Sequence, residues 1–214
     1  MKTDNQFVCA IKTHLRGIGK ALLLLAMVCC CDHSYAQHYL VHGQVKGIGD
    51  GWAFLRHRQT GEIDSSRMQG GRFTFSGNIS APEFCTFGFS VNGVKDYFLS
   101  FFLEKGEFNM SVSKDSLNDT GIVFTGSKVE KEFQEFQRQV KRINDLHYPS
   151  SKADTALSLQ AKRFALKHPG SYVSAFALNS YETSLAELTR LYAQLAPEIQ
   201  RSYYGLLIYK QTHP

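Results

Sequence analysis

One cysteine frames the question of chemistry. Cys85 lies in Phe84-Cys85-Thr86-Phe87-Gly88-Phe89, where alternation with period two puts it on the strand face of Phe87, Phe89 and Val91. A thiol in that setting is expected in a core. A redox nucleophile would need a partner cysteine or a cationic neighbour to lower its pKa, and no Cys-x-x-Cys occurs in the 214 residues. His38 and His42, four apart in a predicted strand, share a face and could begin a metal site. No Cys, Asp or Glu at ligand spacing completes it, so both read as part of an exposed face and no metal is expected. His57, His147, His168 and His213 are scattered, and their order supports no Ser-His-Asp arrangement.

Three further motifs are weaker. Gly47-Ile48-Gly49-Asp50-Gly51 is glycine-rich but runs into strand-like Trp52-Ala53-Phe54-Leu55, where a phosphate loop would need a helix N-terminus; it reads as a hairpin loop. Glu104 and Glu107 bracket the Lys105-Gly106 turn like a glycosidase pair, yet carboxylates at a turn are ordinarily solvated. Asn78, Asn109 and Asn118 open N-glycosylation triplets, which matter only in a eukaryotic secretory host. The residues therefore predict no catalytic group and no cofactor.

The elements that must position these side chains fall into two halves. The composition, 43% hydrophobic and 20% charged with 5 Pro, is that of a globular chain. A net charge of +5 with no dense basic run argues against nucleic acid as a ligand. Strands are predicted at 39–45, 52–58, 62–68, 72–79, 84–91, 97–103, 107–112 and 121–125, with Asn92-Gly93 as a tight turn and 97–103 and 107–112 as a hairpin. That spacing suggests an antiparallel β-sandwich over 37–126.

At Ser127 the period becomes helical. Ser127-Lys128-Val129-Glu130 reads as a capping box, followed by a stripe of Val129, Phe133, Phe136, Val140 and Ile143. The stripe must bury itself on the sandwich, on the following helices or on a second copy, and it is the candidate interaction surface. A second helix opens at Ser151 and stops at His168-Pro169-Gly170, and a third spans 172–178. A fourth follows Ser184, and a last one starts at Pro197 with Ile199, Tyr203 and Leu206 inside. The fold class is α+β, a sandwich followed by a helical extension, 127–214, of four to five short helices.

The first 36 residues read as a secretory signal peptide. Lys12, Arg16 and Lys20 precede an apolar run from Ala21 to Cys31, and Ser34-Tyr35-Ala36 fits cleavage between Ala36 and Gln37. The run is shorter than the roughly 20 residues a spanning helix needs, so no transmembrane span is expected after cleavage. Cys29-Cys30-Cys31 offers lipid attachment as a second route, although the residues before it fit a lipoprotein box poorly. Cleavage removes Cys9 and that triplet, leaving Cys85 alone in a disulfide-permissive compartment.

Four stretches taken together carry a resemblance: Phe101-Phe102-Leu103-Glu104-Lys105-Gly106; Thr125-Gly126-Ser127 running into Phe133-Gln134-Glu135-Phe136; Lys167-His168-Pro169-Gly170-Ser171-Tyr172-Val173-Ser174; and Ser202-Tyr203-Tyr204-Gly205. In order and spacing these resemble the domain of unknown function that precedes the thioredoxin-like domain of exported AhpC/TSA and TlpA-type thiol-disulfide oxidoreductases in Bacteroidetes. The resemblance implies a β-rich module with a helical extension, while the redox work belongs to a Trp-Cys-x-x-Cys in the following domain. Here no Cys follows Cys85, the only Trp is Trp52, and no catalytic residue carries over. The expectation is an exported, non-catalytic accessory module of the periplasm or cell envelope, binding another envelope protein or itself. Two alternatives stand beside it: a truncated oxidoreductase that has lost its catalytic domain, and an independent glycan- or peptide-binding protein.

Overall fold

Period-two patterning becomes eight strands in the computed structural model, which describes residues 37–91, 94–113, 122–181 and 184–213. They are β1 (Gln37–Lys46), β2 (Gly51–His57), β3 (Ile63–Met68), β4 (Arg72–Ile79), β5 (Glu83–Val91), β6 (Val94–Leu103), β7 (Gly106–Ser113) and β8 (Ile122–Thr125). Two four-stranded sheets result, ordered β4-β1-β7-β8 and β3-β2-β5-β6. The expected signal peptide, the Asn92-Gly93 turn, Asn118, Gly121 and the side chain of Val91 lie outside the described residues.

The sandwich departs from a purely antiparallel one at β1 and β7, which run parallel with Val41 opposite Phe108. A parallel neighbour needs a crossover, and here it runs through β2 to β6, the whole second sheet together with β4 of the first. The loop at 47–50 is accordingly not a hairpin but a passage from the first sheet to the second, with Asp50 Oδ1 accepting the Gly70 N–H at 2.9 Å. The expected β6–β7 hairpin is likewise a change of sheet, because β6 pairs with β5 while β7 pairs with β1 and β8.

Inward-facing residues of both sheets form one core. Its centre is aromatic: Phe73 stacks on Phe87 across the sheets at 5.0 Å, and Phe101 meets Phe124 at 5.1 Å. Cys85 sits in this core with no exposed surface, on the face of Phe87 and Phe89 as the alternation requires.

Six helices follow: α1 (Lys128–Asn144), α2 (Ser150–Lys167), α3 (Tyr172–Ser180), α4 (Leu185–Tyr192), α5 (Pro197–Gln200) and α6 (Tyr203–Thr212). The single last helix expected from Pro197 is two, since Ser202 takes an extended conformation and its Oγ accepts the Gly205 N–H to cap α6 afresh. Gly205 is required there, as a Cβ would come within 2.1 Å of the Ile199 carbonyl oxygen. Leu206, placed inside by the pattern, is half-exposed. None of these helices is long and apolar enough to cross a membrane.

The α1 stripe is covered from within the chain. Val129, Phe133, Phe136 and Val140 are buried with Phe102 of β6, Ala161 and Phe164 of α2, and Val173 and Ala177 of α3. Ile143, beyond that contact, is only partly covered. Phe84 and Phe102, register partners on the outer face of the second sheet, meet Phe133 at 5.5 and 5.3 Å and Phe176 at 4.7 and 5.7 Å. This stripe therefore joins helices to sheet, and its four buried side chains are not a free interaction surface.

The start of α1 differs from a reciprocal capping box. Ser127 Oγ accepts the Glu130 N–H at 2.9 Å, as expected. The Glu130 carboxylate instead reaches the edge strand β6, accepting the Phe102 N–H at 2.7 Å, while Gln134 Nε2 donates to its other oxygen. Glu104 takes over at the cap: its Oε1 accepts from Ser127 Oγ at 2.6 Å and from the Val129 N–H at 3.1 Å. Glu104 is thus a structural carboxylate rather than a solvated turn residue, and an anion at a helix N-terminus is also favoured by the helix dipole.

Candidate functional site

Among the described residues, a group of ionisable side chains converges where β2 ends and β5 begins. His57 ends β2 and lies directly opposite Cys85 in the β2–β5 register, and Glu83 precedes Cys85 by two residues, so all three face inward. Leu55 opposite Asp64 in the β2–β3 register brings Asp64 to the same face. Tyr39 enters from β1 in the other sheet, and its ring occupies space left by Gly77, where a Cβ would come within 2.8 Å of the phenolic oxygen.

The hydrogen bonds form a chain. His57 Nδ1 is bonded to Glu83 Oε1, and His57 Nε2 lies 3.0 Å from Asp64 Oδ2. Tyr39 OH donates to the same Asp64 oxygen at 2.9 Å. Cys85 Sγ lies 3.9 Å from His57 Nδ1 and donates to Glu83 Oε1 at 3.8 Å. His57 and Glu83 are buried, whereas Asp64 is half in water. A hollow of about 310 Å³ opens onto the group, lined by Tyr39, His57, Asp64 and Glu83 with Asn78 and Ser80.

The electrostatics follow from that geometry. The hydrogen bond to Glu83, opposed by burial and helped by Asp64, pushes the His57 imidazole up to about 9, so it is protonated at neutral pH. Burial, with Glu83 beside it, pushes the Cys85 thiol well above its ordinary value. Burial and the bond to Asp64 also push the Tyr39 phenol up. A thiol held protonated in a core is not a nucleophile, because the thiolate is the reactive species.

Nδ1 of His57, an oxygen of Glu83 and Sγ of Cys85 lie within 4.8 Å of one another, and all three residues are buried. Sequence reasoning put Cys85 in the core but left His57 among scattered histidines and did not single out Glu83 or Asp64. A signal was available: His57 follows Ala53 and Leu55 at even spacing, and Glu83 precedes Cys85 and Phe87 likewise, so two ionisable residues fall on core-facing positions. The exposed His42 lies 3.3 Å from Glu107 across β1 and β7, and His38 is also exposed, in keeping with a solvated face.

No curated protein sequence matches the chain. Residues 39–133, from β1 through the first turns of α1, match a family described as a domain of unknown function. That stretch holds Tyr39, His57, Asp64, Glu83 and Cys85 as well as the Glu104, Ser127 and Glu130 link between sheet and helix. Over residues 39–133 the chain is thus similar to the domain of unknown function DUF4369.

Proposed function

We propose that this chain is an exported, non-catalytic module of the periplasm or cell envelope that works by binding another protein. The observation that carries the reading is the state of Cys85: it has no exposed surface, and burial holds its thiol protonated. Thiol-disulfide exchange needs an attacking thiolate and a second cysteine to resolve the mixed disulfide, and a sealed thiol offers neither. The resemblance to the module that accompanies envelope thiol-disulfide oxidoreductases supports a partner of that kind. The helices supply apolar surface for it: Leu159 and Leu166, seven residues apart on α2, are 45% and 47% exposed.

The test is crosslinking in the native envelope, identification of the partner and reconstitution with it in pure form. Leu166→Asp, at an already exposed position, is expected to weaken the complex roughly tenfold or more with an unchanged melting temperature. A complex indifferent to both Leu159→Asp and Leu166→Asp would remove α2 as the docking face.

A second reading, glycan or peptide binding, is favoured by a shallow groove of about 330 Å³ on the outer face of the first sheet, lined by His42, Gln44, Arg72, Asn109, Ser111 and Thr125. Among the described residues it offers hydrogen-bonding groups but no Phe, Tyr or Trp ring to stack on a sugar, and it ranks second for that reason. Titration with envelope oligosaccharides, followed by Asn109→Ala, separates the two readings.

A further inference from the structure

We propose that His57, Glu83 and Cys85 form a binding site for a thiophilic divalent cation, with zinc the best fit to the ligand set. The three candidate ligand atoms, Nδ1, Oε1 and Sγ, already lie within 4.8 Å of one another. Sulfur stands 3.9 Å from the imidazole nitrogen and 3.8 Å from the carboxylate oxygen, close to the edge of a zinc tetrahedron with bonds of about 2.0–2.3 Å. Two adjacent strands hold them rigidly. His57 and Cys85 are a cross-strand pair and Glu83 is the same-face neighbour, and a cation enters by parting His57 Nδ1 from Glu83 Oε1, which share a hydrogen bond, through side-chain rotation.

The surroundings match what a metal-bound histidine needs. Such a ligand generally donates its second ring N–H to a carboxylate, which fixes the ring and raises its basicity. Asp64 Oδ2 stands 3.0 Å from Nε2, and Tyr39 OH holds that carboxylate at 2.9 Å. A buried ion pair of His57 and Glu83 alone would not require Cys85 on the same oxygen or Asp64 behind the ring. The mixed nitrogen, sulfur and oxygen set selects against calcium and magnesium, which take oxygen ligands. The hollow beside His57 and Glu83 gives the cation a route from solvent and room for water as fourth ligand.

Binding balances as an exchange of protons for metal. The cation displaces the proton from His57 Nδ1 and the proton from Cys85 Sγ, releasing two protons to solvent, while Nε2 keeps its hydrogen toward Asp64. Two positive charges leave as two arrive, so the exchange balances in charge.

The experiment uses the full chain with Cys9, Cys29, Cys30 and Cys31 changed to serine, stripped with a chelator and titrated with Co²⁺. The expected result is one cobalt per chain, with a near-ultraviolet thiolate-to-cobalt charge-transfer band and the visible absorption of tetrahedral cobalt, both removed by stoichiometric Zn²⁺. Cys85→Ser should abolish the charge-transfer band, and His42→Ala should leave it intact. Asp64→Asn, at a half-exposed position that does not touch the ion, should weaken binding by roughly 10–100-fold. It decides the matter even if Cys85→Ser does not fold. Absence of the charge-transfer band, its survival in Cys85→Ser, its loss in His42→Ala, or an unchanged affinity in Asp64→Asn would each overturn the assignment.

Discussion

The backbone N–H of Phe102 donates to the buried Glu130 carboxylate at 2.7 Å, so a helix side chain occupies the outer edge of the second sheet where another strand could have paired. An open edge invites association with other chains, and covering it is a general remedy. Burial pushes the Glu130 carboxyl up to about 8, overcoming the two hydrogen bonds that pull the other way. Its ordinary value is 4.5, so between these limits the folded chain holds a proton that the unfolded chain has lost. The contribution to stability is complete below pH 4.5 and is lost as pH rises through 8, at roughly 1.4 kcal/mol per unit. Urea denaturation across that range should show stability falling with pH. Glu130→Gln keeps an acceptor for the Phe102 N–H and should flatten the slope; an equal slope in both proteins would contradict the assignment.

Phe136 should be the least replaceable residue of α1. It has no exposed surface and meets Phe164 at 5.2 Å and Tyr181 at 5.7 Å. Phe136→Ala should cost about 3–5 kcal/mol in chemical denaturation, and Phe136→Asp more, since a carboxylate would be buried without a partner. A melting temperature unchanged in Phe136→Asp would mean that the stripe is not packed as described.

Removing Glu104 should loosen the joint between sheet and helices. Glu104→Ala deletes the acceptor for Ser127 Oγ and for the Val129 N–H. A loss of about 1–3 kcal/mol is expected, with the amides of the first α1 turn exchanging faster than those of the strands. Uniform exchange across helix and sheet would show that Glu104 does not act locally.

The two periods and the serine caps at 127 and 184 carried most of the elements, because alternation and 3.6-residue spacing are local properties; the caps at Ser171 and Ser202 were not read from the sequence. Pairing is not local. The parallel β1–β7 neighbours and the changes of sheet at 47–50 and 104–105 depend on which strands meet after the chain has folded back. The site was hidden for the same reason. His57 and Cys85 are 28 residues apart, and only their register makes them partners. Glu130 matched a capping box in sequence, yet the free edge of β6 competed for its carboxylate and won. The α1 stripe was legible as apolar, but its covering by Phe102, Phe164 and Val173 required tertiary contacts.

Cys85 should react slowly with thiol reagents in the native protein and rapidly after denaturation. Its burial and raised pKa both suppress the thiolate. With Cys9, Cys29, Cys30 and Cys31 replaced by serine, labelling followed by intact mass reads this one thiol. Equal rates in the native and denatured states would place Cys85 at the surface.

Reduction of insulin disulfides by the purified chain tests most directly whether this protein binds rather than catalyses. We expect turnover at the level of dithiothreitol alone, unaltered by Cys85→Ser. Turnover above that level that Cys85→Ser abolishes would contradict the account and make the protein a thiol-disulfide enzyme.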